Sequence, residues 1–303
     1  MPPVSSALVG SAASLTCALT WAIASLVFGR VLQREPTTAL ALSFVKALVA
    51  APLLFIAATA TGLLSETLEP RWLSQVFLTS LLGLVIADAA YLASLKRLGV
   101  ERGVLLIPLV PSSTAVMAFF ALDERLSLSA LVGVSLTLVG VVGAVYRPRS
   151  SGQPGGLAPW ATILIAGAYV FAQAGSNVLQ KDVLDGHVAL YVAALRLVLG
   201  MPLMALVVLT TSPGGGIAAV RAVLRPGVRG PVIAAAAIGT ALGMWLGATG
   251  TQRLPVALAT TLAATTPVWA LIIARLRGEA ISVRAAIGAV LAVAGVAVIA
   301  ASR

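Results

Sequence analysis

Residues 38–60 read TALALSFVKALVAAPLLFIAATA. The stretch holds a single charge, Lys46, and a proline, Pro52, six residues after it. A helix needs about 20 apolar residues to cross a hydrocarbon core about 30 Å thick. The stretch therefore predicts a transmembrane helix with one cation near mid-depth. Residues 188–210 read VALYVAALRLVLGMPLMALVVLT, again with one charge, Arg196, and with Pro202 six residues on. An unusual helix thus occurs twice in one chain.

Working outward, the same reading predicts ten spans. Five lie at Ala7–Phe28, Thr38–Ala60, Trp72–Ala93, Gly103–Ala121 and Ser127–Tyr146. Five more lie at Trp160–Leu179, Val188–Thr210, Pro231–Gly250, Pro255–Ala274 and Ser282–Ala301. Composition agrees: 59% of the 303 residues are hydrophobic, 10% are charged and mean hydropathy is +1.04. A soluble domain carries about 25% charged residues to cover its surface. The strands of a β-barrel are about 10 residues long with alternating polarity, and no such alternation occurs. The expected class is all-α integral membrane.

The two halves match each other in order. Val31-Leu32-Gln33 pairs with Val178-Leu179-Gln180, Lys46 with Arg196, and Gly83, Arg97, Leu98 and Pro111 with Gly239, Arg253, Leu254 and Pro267. Glu124, Gly133 and Gly140 pair with Glu279, Gly288 and Gly295. Residues 1–150 and 151–303 thus read as two five-helix repeats joined by the Gly-, Pro- and Ser-rich stretch Arg147–Pro159. Five is odd, so the second copy enters the membrane from the opposite side, giving ten helices as two inverted repeats.

Charge follows the inversion. In the first repeat the loops after the first and third spans hold Arg30, Arg34, Lys96, Arg97 and Arg102, while their counterparts hold Lys181 and Arg253. The remaining loops reverse this, with Arg71 and Arg125 against Arg221, Arg225, Arg229, Arg275 and Arg277. The basic side is the one facing loops after odd-numbered spans, and the positive-inside rule then puts both termini outside the cytoplasm.

These repeats resemble the drug/metabolite transporter superfamily, in particular its EamA-type ten-helix members. Three features carry the resemblance. One is a basic residue in the second helix of each half, in Phe44-Val45-Lys46-Ala47-Leu48 and Ala194-Leu195-Arg196-Leu197-Val198. Another is a proline in each fourth helix, and the third is a Glu opening each fifth helix, in Asp123-Glu124-Arg125-Leu126 and Gly278-Glu279-Ala280-Ile281. Asp123 stands where the family usually has Gly, and Lys46 where Arg is more usual. The resemblance implies a carrier of small metabolites or drugs that hydrolyses no ATP, in the inner membrane of a bacterium. It also implies both termini inside, against the charge rule.

Few residues are candidates for chemistry. A charge at mid-membrane costs at least about 2.5 kcal/mol, so Lys46 and Arg196 are expected to face a cavity rather than lipid. Asp88 is the one acid well inside a span. Its depth matches that of Lys46, which predicts an ion pair; the role is either structural or proton-coupling. Asp88 aligns with Met244, so Arg196 lacks an equivalent acid and is the better candidate to hold a carboxylate or phosphate through its planar fork. Gln173, Asn177 and Gln180 form one polar stripe on the sixth span, suited to interhelical bonding or substrate contact. Trp21, Tyr91, Tyr169, Trp245 and Trp269 are candidates to line a site for ring-bearing solutes. Pro111 and Pro267, flanked by hydroxyl residues, predict kinks. The paired glycines of the fifth and tenth spans predict close packing, and capping accounts for Glu124 and Glu279.

No Walker loop, metal-ligand set or catalytic constellation is present, so neither an enzyme nor a cofactor is expected. The basic balance of +10 flanks spans and fits lipid headgroups rather than nucleic acid. Cys17 lies inside a span and forms no intrachain disulfide. The reading is a secondary transporter or facilitator of small organic metabolites, anionic or zwitterionic such as amino acids, acting as a monomer by alternating access. Alternatives are an exporter of lipophilic compounds, a lipid flippase and a non-transporting scaffold.

Overall fold

A computed structural model describes residues 4–34, 38–62, 69–122, 128–145, 159–212, 214–254 and 256–301. The described residues are helical, with no strand among them. The helices are α1 (Val4–Arg34), α2 (Ala39–Ala60), α3 (Pro70–Leu98), α4 (Val100–Gly103), α5 (Leu109–Leu122), α6 (Leu128–Val145) and α7 (Pro159–Leu184). They continue as α8 (Ala189–Thr211), α9 (Gly216–Leu224), α10 (Arg229–Arg253), α11 (Val256–Ala263), α12 (Thr266–Leu276) and α13 (Val283–Ala301). Seven helical stretches are long and apolar enough to cross a membrane by length and composition; two shorter apolar helices, Leu131–Val142 and Val283–Val298, accompany them. Their outer faces are apolar, with Ile56, Val139, Ile163, Leu206 and Val290 all exposed. The protein is an integral, multi-pass membrane protein.

Packing between the halves is reciprocal. α1 lies along α10, and its counterpart α7 lies along α3; α2 packs on α8, and α6 on α13. The last contact is close because it is made of glycine. A Cβ on Gly140 would stand 2.8 Å from the Gly288 carbonyl oxygen, and one on Gly295 would collide with the Gly133 carbonyl. The glycine faces expected from sequence are therefore packing faces.

Three departures from the sequence reading have local causes. First, α3 and α10 each contain a π-helical segment, Leu81–Ala87 and Ala236–Leu242, at matching places in the two repeats. Apolar periodicity does not separate π from α turns over seven residues. Second, the span expected at Gly103–Ala121 is broken, passing from α4 through the 3₁₀ turn Val104–Leu106 to α5 at Leu109. Pro111 falls in the first turn of α5, where a missing N–H costs nothing, so it begins a helix instead of kinking one. Pro267 likewise opens α12 after a break behind α11. The carbonyl of Ala263, four residues before Pro267, takes the Thr266 hydroxyl at 2.7 Å instead. Third, Glu279 does not cap α13. Ser282 does, its hydroxyl accepting from the N–H of Ala285 at 3.1 Å, while Glu279 pairs with Arg30. Glu124 and the stretch joining the repeats lie outside the described residues.

Candidate functional site

A cavity of about 200 Å³ lies between the repeats. Its wall includes Ser14 and Trp21 of α1, Lys46 of α2, Gly83 and Asp88 of α3, Gln173 of α7, Arg196 of α8 and Met244 of α10. The cause is geometric. Both π segments widen their helices where they face the other repeat, and both broken helices, at Ile107–Pro111 and Ala263–Ala264, border the same space. π turns are rare and recur at functional sites.

Lys46 and Asp88 form an ion pair, and Ser43, one turn before Lys46, donates its hydroxyl to the same carboxylate. Their side chains are 12% and 14% exposed, so the pair is largely withdrawn from solvent. Lys46 Nζ also lies 5.5 Å from the ring centroid of Phe28, within cation–π range. Beside it, Tyr91 shares a 2.9 Å hydrogen bond with Ser25, and its ring meets that of Tyr169 at 5.0 Å between centroids.

Arg196 is arranged differently. It is 7% exposed, and only neutral oxygens hold it. Nη1 donates to Gln180 Oε1 at 2.6 Å; Nη2 donates to Ser176 Oγ at 3.0 Å and to the Thr79 carbonyl at 3.3 Å. Ser176 in turn donates to the Thr79 carbonyl at 2.9 Å. Nε is buried without a partner, and among the described residues no carboxylate reaches the guanidinium. Gly83 makes room for it, since a Cβ there would lie 2.7 Å from Nη2. Asp88 donates its backbone N–H to the Gly83 carbonyl in the i→i+5 pattern of the π segment, so the two polar stations stand one turn apart along α3.

Of the residues selected from sequence, Arg196, Lys46, Asp88, Gln173, Asn177, Gln180, Trp21, Tyr91 and Tyr169 all reach the cavity wall. Gln173 Nε2 donates to Asn177 Oδ1 at 2.9 Å, so part of the polar stripe satisfies itself. Trp245 does not reach the cavity. It is 40% exposed on the outer side of α10, because the inward stripe there is Met244, Ala248 and Thr251 and the next residue is turned about 100° away. Trp269 packs against the buried core instead. Sequence reasoning missed Thr79, Ser176, Ser43 and Ser25. Ser176 was the findable one, since it continues the stripe of Gln173 and Gln180 at i+3.

At one end the cavity is bordered by Ser14, Gln180 and Thr251, and at the other by Phe28, Leu92 and Ile107. Just past the second end the halves are tied together: Arg30 of α1 pairs with Glu279, and Glu101 of α4 accepts the N–H of Ser282 at 3.1 Å.

A polar cavity shared by the two halves and one largely withdrawn basic residue in the second long helix of each, Lys46 and Arg196, match a known pattern. The profile of the EamA-like transporter family matches residues 8–146 and again residues 160–301. The chain belongs to the EamA-like transporter family. It thus carries two EamA repeats, in a family of membrane carriers for small molecules rather than enzymes. No curated protein matches it. A solved structure described only as "Crystal structure of protein" superposes with a TM-score of 0.66 at 24% identity, over 97% of this chain and 95% of that one. At that identity the likeness speaks for the fold alone.

Proposed function

We propose that this EamA-family chain is a secondary transporter or facilitator that moves a small anionic or zwitterionic metabolite through the cavity between its repeats. The observation that carries the reading is Arg196. Among the described residues, the charged ones lining the cavity are Lys46, Asp88 and Arg196. Lys46 and Asp88 cancel each other, which leaves one positive charge in excess. A guanidinium held only by neutral oxygens keeps its charge available, and its planar fork suits a carboxylate or phosphate. A carrier for lipophilic cations would need the reverse balance. A flippase would place its cations near the headgroups, toward the ends of α2 and α8 rather than well inside them.

The architecture behind this reading is ten transmembrane helices in two inverted repeats, in a bacterial plasma membrane, with one chain as the working unit. Inversion fits the reciprocal packing and the opposite charge bias of the two halves. Transport is by alternating access. The contacts Arg30–Glu279 and Glu101–Ser282 act as the gate at one end of the cavity. The π segments and the breaks before Pro111 and Pro267 are where the helices yield. Asp88 serves as the counter-charge of Lys46 within the site. Uptake into proteoliposomes of a panel of amino acids, organic acids and organic cations tests the function. Uptake of anions or zwitterions supports it, and uptake confined to lipophilic cations contradicts it.

A further inference from the structure

A second concentration of charge lies far from the cavity, where α8 gives way to α10. Between them the short helix α9 turns its buried residues, Ala219 and Val223, onto the bundle, where they join the core that includes Val208 and Val232. Gly216 seats the helix tightly, since a Cβ there would lie 2.6 Å from the Val208 carbonyl oxygen. α9 ends at Arg225, whose carbonyl accepts the N–H groups of Val228 and Arg229 at 3.1 Å each, so one turn of backbone leads straight into α10. Arg221, Arg225 and Arg229 therefore crowd one corner, and all three are exposed.

That corner has a defined depth. α8 and α10 are both helices long and apolar enough to span, and the corner joins the end of one to the start of the other. It must lie at the level of the lipid headgroups. Ile217, 61% exposed on the outer side of α9, offers an apolar side chain at that level, while arginine stems lie along apolar surface and lift their heads to the interface. The sequence contains no Asp or Glu from Gly186 to Gly278, so α8, α9 and α10, the helices that form the corner, bring no acid of their own to it. An amphipathic helix with an arginine cluster at a membrane surface attracts anionic lipid, each basic residue adding to the attraction.

We propose that the α9–α10 corner is a binding site for an anionic phospholipid, with Arg221 and Arg229 holding the headgroup phosphate and the acyl chains passing beside Ile217. The site is separate from the transport cavity, and the inference does not depend on what the cavity carries.

The test is native mass spectrometry of the full chain released from micelles doped with phosphatidylglycerol or phosphatidylcholine. The unaltered chain is expected to retain phosphatidylglycerol preferentially. The double variant Arg221→Gln/Arg229→Gln should lose about tenfold in its affinity for that lipid, while Arg221→Lys/Arg229→Lys keeps most of it. A control, Arg275→Gln/Arg277→Gln, removes the same charge at another loop and should leave binding nearly unchanged. Equal retention of both lipids, or loss no greater in the Arg221/Arg229 variant than in the control, overturns the proposal. So does competition by millimolar glycerol phosphate, which would make the corner a site for soluble anions.

Discussion

Gly83 and Arg196 face each other across the two repeats: a methyl group on Gly83 would stand 2.7 Å from Nη2 of Arg196 and 2.6 Å from Oγ of Ser176. A glycine of one half thus holds open the place of the buried cation of the other. Its position inside a π segment adds to this, because the wider turn brings backbone, not side chain, to the guanidinium.

Gly83→Ala therefore separates binding from folding. Alanine is favoured over glycine in a helix by roughly 0.5–1 kcal/mol, which offsets part of the crowding cost of about 1–3 kcal/mol. The expected result is a melting temperature within a few degrees of the unaltered protein and at least a tenfold loss in apparent affinity for an anionic substrate. Full transport by this variant would show that the guanidinium can move aside at no cost.

The Lys46–Asp88 pair predicts a non-additive pattern. Asp88→Asn leaves Lys46 as a buried charge without a counter-ion, at a cost of about 3–5 kcal/mol. Replacing both, Lys46→Met with Asp88→Leu, removes the charge together with its partner and should be better folded than Asp88→Asn alone. Thermal denaturation in detergent reads this directly. A double variant less stable than the single one would mean that the pair organises more than itself.

The Arg30–Glu279 pair makes a different kind of prediction. Its side chains are 38% and 43% exposed, so its loss changes stability little, by about 0–1 kcal/mol. Its effect should appear in access. In a Cys17→Ala background carrying Ile107→Cys, a membrane-impermeant thiol reagent applied from the Arg30 side should label several-fold faster once Glu279→Gln and Glu101→Gln are added. An unchanged rate would remove these contacts from the gate.

Topology sets the charge rule against the family resemblance. The basic loops predict both termini outside the cytoplasm. A C-terminal reporter that fluoresces only in cytoplasm should stay dark, and a bright reporter would favour the resemblance.

Much of this was legible in the sequence because lipid enforces simple rules. Long apolar runs gave the helices, and one cation per second helix marked the cavity, since a charge at that depth has nowhere else to go. The Lys46–Asp88 contact followed from matched depth. What was hidden depends on geometry that side-chain identity does not encode. The π segments, the break before Pro111 and the turn of Trp245 away from the cavity are shifts of one or two residues in helical phase. Glu279 misled for another reason: a carboxylate near a helix start reads as a cap, and its partner Arg30 lies 249 residues away.

Whether Arg196 holds the anionic group of a transported solute is read from initial uptake rates into proteoliposomes, measured beside thermal stability for Arg196→Ala and Arg196→Lys. Arg196→Ala is expected to abolish uptake of an anionic substrate while the protein remains folded, and Arg196→Lys to restore only part of it, since an ammonium keeps the charge and loses the fork. An Arg196→Ala protein that transports the anion at the normal rate while melting far below the unaltered chain would make Arg196 a structural residue and not the anion's partner.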